Sequence, residues 1–316
     1  MVNWDIVCGG RSAGPRSSDR SVFRSRYYVT RKGAVCPMQN DKLVAPVVKW
    51  VGGKRQLLDA LLPLLPQEPF PVYCEPFLGG GAMLFRIQPE KAYVNDVNSN
   101  LILVYETIRR DVEALITALQ GFSNDRETFY AIRGLDRDPQ AYASLSDVQK
   151  AARLIYLNKT CYNGLYRVNN AGQFNAPFGS YKNPNIVNAD TLRAVSAYFN
   201  RAEIHFSSED YAQVLARLPE NAFVYLDPPY DPVSDTANFT GYSKDGFGRA
   251  EQIRLREQCD ELTRRNIRFM LSNSATDFIR EQYRDYHITT VKAKRAINSD
   301  STKRGHIDEV VVRNYE

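Results

Sequence analysis

Cysteine and histidine are scarce in this chain, and their scarcity excludes the commonest metal and disulfide scaffolds. The five cysteines (Cys8, Cys36, Cys74, Cys161, Cys259) are odd in number, scattered and form no Cys-x-x-Cys pair. Neither a disulfide framework nor a zinc knuckle is indicated. The three histidines, His205, His287 and His306, stand too far apart for a histidine-built metal site. No apolar run approaches the roughly 20 residues that span a bilayer, and the N-terminus lacks the apolar core of a secretory signal. A Walker-type phosphate loop is missing too: "VKWVGGKRQLL" (48–58) has a glycine pair and lysines but not the required spacing. These absences predict a reduced, cytoplasmic protein with neither metal nor membrane.

The body of the chain also lacks an excess of positive charge. Residues 1–40 carry Arg11, Arg16, Arg20, Arg24, Arg26, Arg31 and Lys32 against Asp5 and Asp19, which is the whole formal net charge of +5. The remainder is neutral, so any nucleic-acid reading has to come from local patches. What is present is ordinary globular material: 316 residues, 43% hydrophobic and 24% charged. That is enough for one large or two ordinary domains.

The first forty residues are rich in Ser, Arg and Gly without apolar periodicity. They read as a flexible basic leader, either a tail without specific function or a nucleic-acid arm. From Val44 onward strands and helices alternate. "RQLLDALLPLL" has helical spacing, Val72–Cys74 and Ala92–Val94 read as strands, and 82–87 starts a helix. Leu101, Ile102, Tyr105, Ile108, Val112, Leu115 and Leu119 mark a long amphipathic helix. Strands at Ala222–Leu226, Arg268–Leu271 and Glu309–Val312, with a charged helix over Arg249–Arg265, complete a predicted α/β fold with a mostly parallel sheet. Residues 111–186 break the rhythm with helices and an Asn/Gly/Phe/Tyr-rich stretch, and are predicted as an inserted lobe. The core domain is then 41–110 plus 187–316.

Three strings carry chemistry. "YCEPFLGGGAMLF" (73–85) reads as a strand, a glycine turn and a helix start, a form that brings backbone N–H groups close to a ligand. A tight strand–helix turn uses the same glycines. Asp96, in "NDVN" at the end of the next strand, suits ribose hydroxyls or an N-cap. In "NAFVYLDPPYDP" (221–232) a buried strand runs into Asp227-Pro228-Pro229-Tyr230. Neither proline has an N–H, so the carbonyls reach the sheet edge without competing donors. Asp227 and the Pro228 carbonyl can accept both hydrogens of one amino group while Tyr230 stacks on the ring bearing it. That is a site for a flat aromatic amine.

The order "KWVGGK", "EPFLGGG", "NDVN", "YNGLYRVNNAGQFNAPFG" and "DPPYDPVSDTANF" resembles the Dam-type DNA adenine methyltransferases, from about Val47 to the C-terminal "RGHIDEVVVRNYE". The resemblance implies a Rossmann-like S-adenosylmethionine-dependent methyltransferase sheet with an inserted, mainly helical target-recognition lobe carrying a β-hairpin. It implies methyl transfer from S-adenosyl-L-methionine to the 6-amino group of adenine in double-stranded GATC, by a metal-independent monomer, with two copies able to serve one palindromic site. Trp50, Lys54, Phe77, Gly79, Asp96, Asp210 and Asp227 are assigned to the cofactor, Asp210 meeting its adenine. Asp227, Pro228, Pro229 and Tyr230 form the catalytic loop. Tyr162 and Asn163 are the wedge where the base leaves the helix. Leu165 and Pro177 touch thymine, Arg167 and Lys49 read the guanines, and Asn158, Lys159 and Lys182 contact phosphates. Arginine suits guanine because its two donors face the ring nitrogen and carbonyl in the major groove, which a hairpin can enter. Ser180 departs from the pattern, standing where the family usually has arginine, and puts flanking-sequence preference in question. The same chemistry on another DNA site or on RNA, and a silent DNA-binding homologue, are the alternatives.

Overall fold

The computed structural model describes residues 41–233, 246–294 and 306–316, together with a short antiparallel strand pair, β1 (Tyr27–Val29) and β2 (Val35–Pro37). The rest of the leader, and the part of the "DPPYDPVSDTANF" string beyond Val233, lie outside the described residues.

Seven strands form one mixed sheet: β3 (Tyr73–Glu75), β4 (Lys91–Asn95), β5 (Glu203–Ser207), β6 (Phe223–Leu226), β7 (Arg268–Ser274), β8 (His287–Lys294) and β9 (His306–Arg313). Their spatial order is β5-β4-β3-β6-β7-β9-β8. Strands β3 to β7 pair in parallel, and β9 is antiparallel to both β7 and β8. The central strands alternate between two apolar layers, as a period of two residues requires. Tyr73, Phe223, Tyr225 and Met270 face one layer, while Cys74, Val224, Leu226 and Leu271 face the other. The first layer holds the helices α3 (Ser99–Gln120), α6 (Asp147–Thr160) and α7 (Ala189–Arg201). The second holds α8 (Tyr211–Ala216), α9 (Arg249–Arg264) and α10 (Asp277–Gln282).

Two expectations change. "RQLLDALLPLL" is not one helix: α1 (Leu58–Leu61) lies between two 3-10 turns, because Pro63 has no N–H to continue it. Strands β5 and β8 have no counterpart in the sequence reading, since an exposed edge shows little apolar alternation. The helix α2 (Ala82–Ile87) and the charged helix α9 fall where expected.

Helix α3 runs through the predicted boundary at residue 110 and bends there, with Asp111 off the helical conformation (φ −138°, ψ 45°). Beyond the bend, α4 (Arg126–Gly134), α5 (Pro139–Ser144) and α6 follow, capped by the side chains of Asp125, Asp138 and Ser146. The buried Arg153 guanidinium, on α6, lies 2.7 Å from Asp136 Oδ2 and donates to the carbonyls of Ile132 and Arg133. Asp136 also accepts from Phe174 N–H at 2.8 Å, tying these helices to the segment after α6. Arg153→Ala leaves Asp136 with the more exposed Arg137 as its remaining cation and strips the Ile132 and Arg133 carbonyls of their donor, and an expected loss of about 1–3 kcal/mol follows. Thermal or urea unfolding measures it; a loss below about 1 kcal/mol means the pair holds nothing together.

Candidate active site

Parallel strands end on one edge, so the turns after β3, β4 and β6 converge there. After β3 the chain turns through Gly79 (φ +49°) and Gly81 (φ +67°) into α2. A Cβ on Gly79 would stand 2.8 Å from Trp50 Cδ1, so only glycine permits the indole to cover the turn. Gly79 N–H donates to Asp96 Oδ2 and Asn98 N–H to Asp96 Oδ1, each at 2.9 Å. Burial pushes the Asp96 carboxyl above its usual range, and these two donors pull it back. Asn98, not Asp96, is the cap of α3. Asp96 is thereby left facing the glycine turn, with lone pairs available to a ribose diol. Phe77 packs on Tyr211 (5.1 Å between centroids) and Phe247 (5.8 Å), an aromatic cluster suited to a flat base. Next to it, Asp210 caps α8 through Ala212 N–H and takes a bidentate ion pair from Arg254 at 2.7 and 2.9 Å. That arginine holds the Asp210 carboxyl below its ordinary range.

Asp227 leaves the end of β6 with Oδ1 2.8 Å from the ammonium of Lys54. Lys54 is buried, donates to Gly52 O at 2.6 Å, and lies 4.5 Å from the centroid of the Tyr230 ring. Burial pushes Asp227 up to about 6, with Lys54 drawing it down. Glu75, at the end of β3, is pushed up by burial to about 8, and the nearby Asp227 charge adds to the rise. The Tyr73 hydroxyl and Leu84 N–H, both bonded to its Oε2, pull the other way. At neutral pH the negative charge of this pair therefore resides on Asp227, the assignment that two acids with separated pKa values permit.

The two prolines contribute no backbone donors to the 227–231 turn, and side chains shape it. Gln252, buried on α9, donates to Pro229 O at 2.8 Å and accepts from Asn273. Asp231 is held by Asn273, Ser274 and Thr276 at the end of β7. The Tyr230 hydroxyl donates to Glu309 Oε2 on β9 at 2.7 Å.

The residues predicted to face DNA differ in exposure. Lys49, Tyr162, Arg167, Pro177 and Lys182 are exposed, and Lys159, Asn163 and Leu165 are half-buried. Tyr162 is 56% exposed and is followed by Asn163 (φ +58°) and Gly164 (φ +64°), a turn that presents the ring outward. Tyr162 N–H donates to Pro177 O at 2.8 Å, which fixes those two positions beside each other. Burial pushes the Lys159 ammonium down, and the neighbouring charges of Lys49 and Arg55 add to it, so three cations gather here. The Arg167 guanidinium is aimed by Asn175, which accepts at 2.7 Å from Nε. The expected hairpin is a loop from Asn169 to Gln173 closed by one bridge, Val168 to Phe174, with Asn169 Oδ1 accepting from Ala171 and Gln173 N–H. Asn158, expected at a phosphate, is fully buried. Its amide accepts from Lys49 N–H and donates to Lys49 O, both at 2.8 Å, and so clasps the Lys49 segment onto α6.

Glu309, Glu75, Gln252 and Arg254 escaped the sequence reading. An acid preceding the apolar run of "DEVVV" was the one visible signal among them.

The mixed sheet with helices on both faces is of the α/β class, and by family the chain is a methyltransferase. More narrowly, it belongs to the D12 class of N6 adenine-specific DNA methyltransferases, whose family model matches residues 50–297. It is 40% identical over 281 residues to the type II methyltransferase M1.LlaDCHI of Lactococcus lactis subsp. cremoris, covering 88% of this chain and 98% of that one. It is 38% identical over 291 residues to the type II methyltransferase M.MjaIII of Methanocaldococcus jannaschii, covering 86% and 99%. It is 34% identical over 268 residues to the DNA adenine methylase of Escherichia coli K12, covering 84% and 93%. Among the described residues no helix is long and apolar enough to cross a membrane.

Proposed function

We propose that this enzyme methylates the 6-amino group of an adenine flipped out of double-stranded GATC. The observation that carries the reading is the Lys54–Asp227 pair beside the Tyr230 ring, at the sheet edge that also holds Asp96 and the glycine turn. S-adenosyl-L-methionine supplies, when bound, a methyl group on a positively charged sulfur. Trp50, Phe77, Gly79, Asp96 and Asp210 would hold it: the aromatic cluster suits its adenine and the Asp96 carboxylate its ribose hydroxyls.

Asp227 and the Pro228 carbonyl accept the two amino hydrogens of the target base and draw its nitrogen lone pair out of conjugation. Pro229 directs its own carbonyl to Gln252 instead. Tyr230 stacks on the base. The amino group turns acidic only as its new bond forms, so Asp227 need not be a strong base. Positioning and a preformed charge carry most of the rate. Extrusion of the base costs a few kcal/mol, which Tyr162 and Asn163 offset by filling the gap.

The GATC reading follows from the resemblance and from the exposed Lys49, Tyr162, Arg167 and Pro177 with the half-buried Leu165. Transfer of labelled methyl groups to GATC-containing duplexes, GATC-free duplexes and RNA tests it. Equal labelling of all three rejects the site, and absence of cofactor binding rejects the enzyme. Arg167→Ala is expected to lose about 1–3 kcal/mol and to relax discrimination at one base pair. Competition between cognate and single-substitution duplexes measures this. A uniform loss on every sequence makes Arg167 a phosphate contact instead.

A further inference from the structure

We propose that Glu309 is a positioning residue of the base pocket, holding the Tyr230 ring in the plane on which the flipped adenine stacks. The proposal rests on the reading of Tyr230 given above.

The chain direction explains how a residue near the C-terminus reaches this site. Strand β9 runs against its neighbours, so its first residues lie at the edge where the parallel strands end. Glu309 stands opposite Ser274, the last residue of β7, and opposite Val291 of β8. From there its Oε2 accepts the Tyr230 hydroxyl at 2.7 Å, across 79 positions of sequence.

A tyrosine ring has two side-chain rotations, and both need fixing if it is to be a stacking platform. The turn bearing Tyr230 follows two prolines that donate no hydrogen bonds, so the ladder does not anchor it. The polar side chains behind the turn hold Pro229 and Asp231, the residues on either side of Tyr230. Among the described residues, the Lys54 ammonium 4.5 Å from its centroid and Glu309 at its far end hold the ring itself. A phenol–carboxylate bond is charge-assisted and stronger than a neutral one. Without it only the Lys54 contact is left of those two to fix rotation about the Cα–Cβ bond, while the turn stays in place. Glu309 touches neither the base nor the donor in this arrangement. It acts through Tyr230.

The experiment compares wild type with Glu309→Ala, Glu309→Gln, Tyr230→Phe and the Tyr230→Phe/Glu309→Ala double variant. Single-turnover methylation of a GATC duplex and cofactor affinity are measured for each. Fluorescence is recorded on a duplex with 2-aminopurine in place of the target adenine. Glu309→Ala is expected to slow transfer about tenfold and to alter the 2-aminopurine signal, with cofactor affinity unchanged. Glu309→Gln, which keeps an acceptor, recovers most of that loss. The double variant is no slower than the slower single one, because both substitutions delete one contact.

Losses that multiply, or a wild-type rate in either Glu309→Ala or Tyr230→Phe, overturn the proposal. Cofactor affinity falling in step with rate in both Glu309 variants also overturns it, since that marks general damage to the sheet edge. If the wild-type protein itself gives no 2-aminopurine response, the base-flipping reading fails and the proposal falls with it. A wild-type response that Glu309→Ala leaves intact, at full rate, removes Glu309 alone.

Discussion

Asp227→Ala slows methyl transfer by on the order of a hundredfold or more while the protein stays folded. Three observations set the size of this effect. Asp227 stands at the end of a fully buried strand, so its carboxylate is placed to within the tolerance of the sheet. Its charge is preformed, held 2.8 Å from a buried ammonium. The neighbouring acid cannot substitute, because burial keeps Glu75 protonated up to about pH 8 and both of its described donors bind its Oε2. Removing Asp227 therefore removes the ionised acceptor proposed for the base, and Glu309, the other nearby carboxylate, is occupied by the Tyr230 hydroxyl. The variant's circular dichroism should match wild type, and its single-turnover rate on a GATC duplex is the decisive number. Turnover within a few-fold of wild type takes Asp227 out of the mechanism.

The proline turn after β6 was legible in the sequence for a physical reason. A carboxylate, two prolines and an aromatic ring after a buried apolar run are local facts, and each restricts the backbone where it stands. The glycine turn and Asp96 were legible in the same way, since a strand, a turn and a helix start follow one another without interruption. Asn98 shows the limit of that reading. Three residues of "NDVNS" were suited to cap α3, and the choice between them depended on which side chain the glycine turn needed for itself. Asp96 accepts from Gly79, which leaves the cap to Asn98.

Residues that act across the sheet were not legible. Glu309 reaches Tyr230 only because β9 is inserted antiparallel between β7 and β8, and that order is a property of the folded sheet. Gln252 looks like one polar position among many on a charged helix. Burial against Pro229 and Asn273 is what distinguishes it. Asn158 shows the converse: the family resemblance implies a phosphate contact there. The structure turns it inward, where it satisfies the backbone of Lys49 and so sets the position of a residue proposed to read guanine. The resemblance proposed these groups for DNA; hydrogen-bond accounting shows which of them stay exposed and which turn inward.

The ion pair at the centre of the site leads to the second large effect, with Lys54→Met as the test. Methionine fills much of the same volume, so the substitution deletes the ammonium without opening a large cavity. Asp227 then remains buried, close to the Glu309 charge and without its cation. Burial already pushes Asp227 up to about 6 with Lys54 in place. Loss of an adjacent opposite charge raises a carboxyl by about 1–3 further units. The sign follows from the role: the ionised carboxylate is the working acceptor, so activity rises as pH rises through its pKa. Wild type should lose rate below about pH 6. The variant should lose it already near neutrality, by roughly two- to a hundredfold at pH 7, and recover toward wild type in alkali. A pH–rate profile with saturating cofactor separates this from a simple binding role. If Lys54 serves only to hold the methyl donor, the acid limb stays where it is in wild type and the donor KM rises instead.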